Sequence, residues 1–479
     1  MITSSSLKIV RYIVLFAAVS FSYGCSVDGL RPEDRIVDGN FWKSAADAEA
    51  AVIGIYDKVQ SLAKQDPVAF DVGSDAIDVL QVTDDYLPID QHNITVDNPR
   101  VKDYWENNYA GIHRANDVIK HIPGINDGSF STLQRDCLLG EAYFLRAYFY
   151  FNLLRAYGGV PLITVPYESF NADFTVPRAG VAEVYALIIS DLQTAESKLL
   201  LKFGDEMQTR GRATKGAANA LLAKVFLHKK DYPNAVIQAT KVIENPNYGL
   251  TTGRTNYINM FTPNGRNSRE SIFEIQFVSS AIEGHGLHRY YMPVANAGQI
   301  GGEYILAPTA KMINAYEAGD FRKDASIALS TNPPFRNTGQ PYISKYVRTS
   351  ANLDGNVIVI RLADVMLMKA EALMLSGHPA EAITLLNTIR RRAYGLDLNA
   401  ISMRDYPTAS DLARGYTLEL AIENERFLEL AFEGHRWHDL LRTGRASVVL
   451  GIAAEKCLWP IPQRERDRNP KLIQNPGYN

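Results

Sequence analysis

Apolar residues recur along this chain mainly with a helical period. After Ser44, a good capping residue, Ala48, Val52, Ile55, Val59 and Leu62 share one face, with Asp47 in the first turn. Val101 to His121 repeats the pattern through Trp105, Tyr109, Ile112, Asn116 and Ile119. Ser131 with Gln134 reads as a capping box. The helix it opens carries Leu138, Ala142, Leu145, Phe149 and Leu153 on one side, and Gly158, Gly159 and Pro161 stop it. Its aromatics sit at helical spacing and are assigned to core. Another helix is predicted over Val181 to Leu201.

Two helical hairpins follow. In the first, Thr214 caps a helix to His228, residues 230–233 turn, and Asn234 to Asn245 returns. The second spans Leu362 to Arg390 and turns at Gly377-His378-Pro379. Ala223 and Ala235 of the first match Ala370 and Ala382 of the second. Small residues at fixed positions let paired helices approach closely, and the spacing is similar to that of tetratricopeptide repeats.

Two long stretches lack a helical period. Residues 66–100 carry Asp71, Asp75, Asp78, Asp84, Asp85, Asp90 and Asp97, with Tyr86 and His92. Residues 246–358 are rich in Gly, Asn, Pro and Tyr, with strand-like runs at Ser271–Phe277 and Val357–Ile360. Rigid helices display variable loops, so a binding surface belongs on these two stretches. The predicted fold class is mostly α. A tetratricopeptide-like hairpin scaffold (about 40–65, 101–245 and 359–445) would carry an irregular, loop-rich ligand-binding half and an extended C-terminal segment, 446–479.

Thr417 to Gly444 is the most charged of the helical patterns. Leu420, Ala421, Phe427, Leu428, Ala431 and Phe432 fall on one side of the wheel. Glu419, Glu423, Glu425, Arg426, Glu429 and Glu433 fill the other, together with Ile422 and Leu430. Glu425, Glu429 and Glu433 are stacked at i, i+4, i+8, with His435, His438 and Asp439 following. A metal or acid–base site is one reading. A salt-bridge network is the favoured one, because stacked glutamates repel unless cations sit among them, and Arg426, Arg436 and Arg442 are near. Gly434 is placed to interrupt the helix.

Lys8 and Arg11, then the apolar run Ile13–Phe21, then Gly24-Cys25 read as a lipoprotein signal peptide, 1–24. Cys25 is the predicted lipidation site and residues 25–39 a tether. The 479 residues are 46% hydrophobic and carry a net charge of −3, which argues against nucleic acid as a partner. Cys25, Cys137 and Cys457 form no disulfide framework. There is no GxSxG, P-loop or HExxH, so no catalytic residue, metal or cofactor is assigned and the protein is read as a non-enzyme.

The run Glu425-Arg426-(x)2-Glu429-Leu430-(x)2-Glu433-Gly434-His435-Arg436-Trp437-His438-Asp439-Leu440 resembles the C-terminal signature of the SusD/RagB family. So do Leu458-Trp459-Pro460-Ile461-Pro462-Gln463 and Gln474-Asn475-Pro476-Gly477-Tyr478, the opening helix from Phe41-Trp42, the segment Glu141–Pro161, and the landmarks Tyr316, Gly319-Asp320-Phe321-Arg322 and Arg361–Val365. The resemblance spans nearly the whole mature chain, read as one domain from residue 40. It implies a lipid-anchored protein on the outer surface of a Gram-negative outer membrane, which captures oligosaccharides for a SusC-like TonB-dependent transporter. Peptide capture is the alternative. Sugars stack on aromatic rings while acids bond their hydroxyls, and Asp75, Asp84, Asp85, Tyr86, His285, Tyr290, Tyr291 and Tyr304 are the candidate contacts.

Overall fold

The computed structural model describes residues 41–64, 70–83, 85–166, 175–278, 283–346 and 355–478. The predicted signal peptide, Cys25, the tether and Asp84 lie outside the described residues. Within the described residues, the chain from Ser44 onward forms one compact unit.

Helix α1 (Ala45–Ala63) begins where the sequence places it. The Ser44 hydroxyl accepts the Asp47 N–H, and the Asp47 carboxylate accepts the Ser44 N–H at 2.8 Å. The whole stripe Ala48, Val52, Ile55, Val59, Leu62 is buried. A short strand β1 (Ile77–Val79) interrupts the first loop region. Then come α2 (Pro99–His121), α3 (Thr132–Tyr157) behind the predicted capping box, and α4 (Val181–Lys198). All but one of the aromatics of α3 are core, as their spacing implies: Phe144, Tyr148, Phe149, Tyr150, Phe151 and Tyr157 are buried, and Tyr143 is half-buried. Gly111 on α2 makes room for them, since a Cβ there would stand 2.3 Å from the Phe149 ring.

Helices α5 (Lys215–His228) and α6 (Tyr232–Ile243) form the first hairpin. The return helix starts two residues earlier than predicted, because Asp231 caps it through the Asn234 N–H. The insertion contributes β2 (Ser271–Ile275), β3 (Leu306–Pro308), β4 (Ile327–Leu329), β5 (Pro341–Ile343) and β6 (Val357–Arg361). The second hairpin, α7 (Leu362–Leu375) and α8 (Pro379–Ala393), is followed by α9 (Leu418–Glu429) and α10 (Arg436–Arg442). Ala223, Ala235, Ala370 and Ala382 are all buried.

From α1 to α9 each of these helices packs on the next in sequence, α6 on α7 included, although the whole insertion lies between those two. The antiparallel pairing of β2 with β6 explains this. It brings the start of the insertion beside its end, Ile275 opposite Val357 and Ser271 opposite Arg361. Strand β6 then runs directly into α7, so the helical stack resumes without a gap.

The segment 417–444 is two helices, with the interruption at Gly434 that the sequence suggests beginning a few residues earlier. α9 stops at Glu429, and Phe432 and Gly434 adopt φ of +65° and +76° before α10 begins. Glycine takes such a conformation without a steric penalty. Beyond the exposed Glu419 its charged side is largely buried: Glu425, Arg426 and Glu429 are as buried as Phe427 and Leu428. The C-terminal segment is extended apart from short helical turns. It docks through Trp459, whose indole stacks on Phe70 with centroids 4.6 Å apart, and through Asn475, whose amide donates to the carbonyls of Tyr157 and Trp459. Cys137 is a buried free thiol, while Cys457 is only half-buried.

Candidate functional site

The glutamate ladder is resolved into ion pairs by cations from distant parts of the chain. Glu425 meets Arg322 at 2.6 Å and Arg390 at 3.0 Å. Glu429 meets Arg322 at 3.0 Å, and also Arg361 and Arg392. Glu433 meets Arg361 at 2.8 Å and Lys345 at 2.6 Å. Burial alone would raise the Glu429 carboxyl, but Arg392, Arg361 and Arg322 outweigh it and hold the group well below the ordinary range. The arginines nearest in sequence have other partners. Arg426 binds Asp364 and Asp439, Arg436 binds Asp75 and Glu423, and Arg442 binds Glu371 and Asp439. His435 is pushed down to about 3, first by burial and then by Lys224, so it is neutral. Among the described residues no group of three or more His, Cys, Asp or Glu is placed to hold a metal. The family landmarks at Asp320–Arg322 and Arg361 are parts of this one network.

The ligand candidates lie elsewhere, where the two loop stretches meet. β1 pairs antiparallel with β3, Ile77 opposite Pro308 and Val79 opposite Leu306. Leu80 N–H continues the ladder to the Ile305 carbonyl at 2.8 Å, and the Gln81 amide donates to the Tyr304 carbonyl at 3.2 Å. Ile305 N–H in turn donates to the Tyr290 carbonyl. Tyr304, at φ +53°, donates its hydroxyl to the Pro341 carbonyl on β5 at 2.8 Å. These bonds join the segments that carry Tyr290, Tyr304 and Tyr342, all half-buried, to the one that carries Leu80 and Val82, which are 48% and 87% exposed. Leu329, opposite Pro341 on β4, is also exposed.

The remaining candidates divide. Tyr86 is buried under this face, its ring edge-on to Tyr290 at 5.4 Å and covered by the Arg100 guanidinium at 4.7 Å. Asp85 holds that guanidinium at 2.8 Å. The structure departs from expectation at four positions, because a buried ring or a fully paired carboxylate has nothing to offer a ligand. Tyr86 and Tyr291 are interior, Tyr291 stacking on Tyr346. His285 is buried against Phe277. Asp75 is bound in two-pronged fashion by Arg436 and also by Lys311.

The candidates read from the sequence did not include Asp78 or Asp90. Among the described residues neither carboxylate has an ion-pair or hydrogen-bond partner. Burial, and then the Asp78 charge, push the Asp90 carboxyl up to about 6. The exposed side of the short strand β1 pointed to Asp78, whereas nothing local singled out Asp90 or Tyr342. A separate groove of about 600 Å³ runs between α2 and the C-terminal segment, lined by Trp105, Tyr109, Ala110, His113, Arg464 and Leu472 among others. It shares no residue with the tyrosine face. No helix among the described residues is long and apolar enough to cross a membrane.

Comparison with known proteins bears on the family and the fold. A family model described as starch-binding and associating with the outer membrane matches residues 40–227, and the SusD family model matches residues 322–457. A SusD-like protein of Formosa agariphila is 29% identical, over 98% of each chain. A laminarin-binding SusD-like protein of known structure is 27% identical and superposes with a TM-score of 0.77, covering 91% of this chain and all of that one. A SusD homologue from Bacteroides thetaiotaomicron has the same fold, with a TM-score of 0.78 at 24% identity, over 92% of this chain and 98% of its own. The mostly helical fold, the signature built into one ion-pair network and the two family models together covering most of the chain lead to one conclusion: the chain belongs to the SusD/RagB family, whose members are glycan-binding, outer-membrane-associated proteins and not enzymes.

Proposed function

We propose that the protein captures oligosaccharides on the cell surface through the face formed by Tyr290, Tyr304 and Tyr342, and passes them to a SusC-like TonB-dependent transporter. Acyl chains on Cys25 would tether it to the outer membrane. The observation that carries this reading is the convergence of the two loop stretches: hydrogen bonds tie Leu80 and Gln81 to Ile305 and Tyr304, Ile305 to Tyr290, and Tyr304 to Pro341, on segments that carry half-buried Tyr290, Tyr304 and Tyr342, exposed Leu80 and Val82, and the carboxylate of Asp78, which has no partner among the described residues. Rings offer apolar faces to a pyranose, and unpaired carboxylates accept its hydroxyls. Asp85 and Arg100 brace the layer beneath by fixing Tyr86 against Tyr290.

A second reading, peptide capture at the same face, is favoured by its aliphatic content. Leu80, Val82 and Leu329 are strongly exposed, and none of the four tryptophans falls in the two loop regions. Calorimetry on soluble protein beginning at Ser26 separates the readings, with oligosaccharides and peptides titrated in parallel. Saccharide binding that Tyr290→Ala abolishes establishes glycan capture at this face. Peptide binding alone establishes the second reading, and saccharide binding indifferent to Tyr290→Ala removes the face from consideration.

A further inference from the structure

The stretch 70–83, which carries β1 and leads into the ligand face, is fastened by residues about as far away in sequence as this chain allows. Asp71 is fully buried, and its Oδ2 accepts the Gly434 N–H at 2.8 Å across 363 positions. Asp75 takes the Arg436 guanidinium at 2.7 and 2.9 Å across 361 positions. Between them Gly73 lies flat on the Trp437 indole, where a Cβ would stand 3.3 Å from the ring. His92 stacks on the same indole and places Nε2 2.9 Å from the Gly73 carbonyl. All three attachments go to the break between α9 and α10 or to the first turn of α10. A continuous helix would have spent the Gly434 N–H on its own backbone, and the break frees it for Asp71. On the other side, Thr309 at the end of β3 donates its hydroxyl to the Asp75 carbonyl at 2.8 Å.

We propose that this contact is a positioning clasp: Asp71, Asp75 and Arg436 touch no ligand, but they hold β1 and β3, and with them Leu80, Val82 and Tyr304, in the geometry that binds. The inference rests on the reading of the tyrosine face given above. The groups facing Asp71 are Glu433, Lys345, Tyr291 and Tyr346, with the backbone N–H groups of Gly434 and Arg436. Burial, with Glu433 adding to it, pushes the Asp71 carboxyl up to about 7 against the pull of the Gly434 N–H and Lys345. The neutral acid still accepts from Gly434 through its carbonyl oxygen. A carboxyl raised on folding favours the closed form when protonated, so the clasp is tightest in mild acid and loosens as pH rises through about 7.

Hydrogen exchange on the ligand-free soluble protein tests this. After correction for intrinsic rates, amides of residues 77–83 should open about tenfold more at about pH 8 than at about pH 6, and Asp71→Asn should flatten that profile. Amides inside α4 should show no such dependence. Asp75→Asn should speed exchange in 77–83 and weaken binding of whichever panel ligand the protein takes, and Asp75→Glu should restore both in part. A flat wild-type profile overturns the clasp, as does an Asp71→Asn protein that keeps the wild-type pH dependence. Should Asp71→Asn fail to fold, the wild-type profile and Asp75→Asn decide the matter. If Asp75→Asn exchanges faster yet binds ligand as wild type does, the positioning role is overturned. If the wild type binds nothing on either panel, the proposed function fails, and the exchange data judge the clasp by themselves.

Discussion

Glu429 is the sharpest place to test the buried network, because removing its charge leaves three guanidiniums short of a partner. The carboxylate is fully buried and meets Arg322, Arg361 and Arg392. In Glu429→Gln, Glu270, at 3.3 Å, is the one carboxylate among the described residues that Arg392 keeps. Removing one partner from a buried ion-pair network costs about 3–5 kcal/mol, because the remaining charges stay desolvated. At about 2.1 cal/mol/K per residue, unfolding some 440 residues carries an entropy of about 0.9 kcal/mol/K, so a loss of about 4 kcal/mol lowers Tm by about 4 °C. Scanning calorimetry reads this directly. The exposed Glu419→Gln on the same helix is the control and should stay within about 0.5 kcal/mol of wild type. The acid limb gives a second signature. Glu429 is held below its ordinary 4.5, so its contribution is present above that pH and lost as pH falls below it. Glu429→Gln should therefore lose stability less steeply in acid than wild type. A variant that melts within about 1 °C of wild type, or a control that costs as much, would refute the view that these pairs hold the domain.

The ligand face and the α2 groove can be told apart by opposite expectations. Tyr290→Ala should lower affinity about tenfold, the equivalent of about 1.4 kcal/mol, whereas Ala110→Trp, which fills the groove, should leave calorimetric titrations unchanged. Gly111→Ala should destabilise by about 1–3 kcal/mol in a denaturant melt, because its methyl collides with the Phe149 ring. Ser131→Ala should cost about 1 kcal/mol in the same assay by removing the hydroxyl that caps α3, and Ser131→Thr should recover most of it.

The local features of this protein were legible in its sequence because local forces made them. Capping at Ser44, Ser131 and Thr214, the burial of one stripe on α1, and the paired alanines of the two hairpins depend on residues within a turn or two of each other. The family signature was legible as well. Tertiary structure alone decided what those features do. The sequence puts Glu425, Glu429 and Glu433 in a salt-bridge network and offers Arg426, Arg436 and Arg442 as the near cations, but their partners prove to be Arg322, Arg361, Arg390, Arg392 and Lys345, from four other segments. Tyr290 and Tyr291 are adjacent in sequence, yet one borders the face and the other lies in the core, because the turn of helix His288–Tyr291 points them apart. Asp75 reads as a ligand contact until Arg436 claims it. Periodicity encodes which side of an element is apolar, whereas the partner of a charge, and the exposure of a loop tyrosine, are set by whatever the rest of the chain brings alongside.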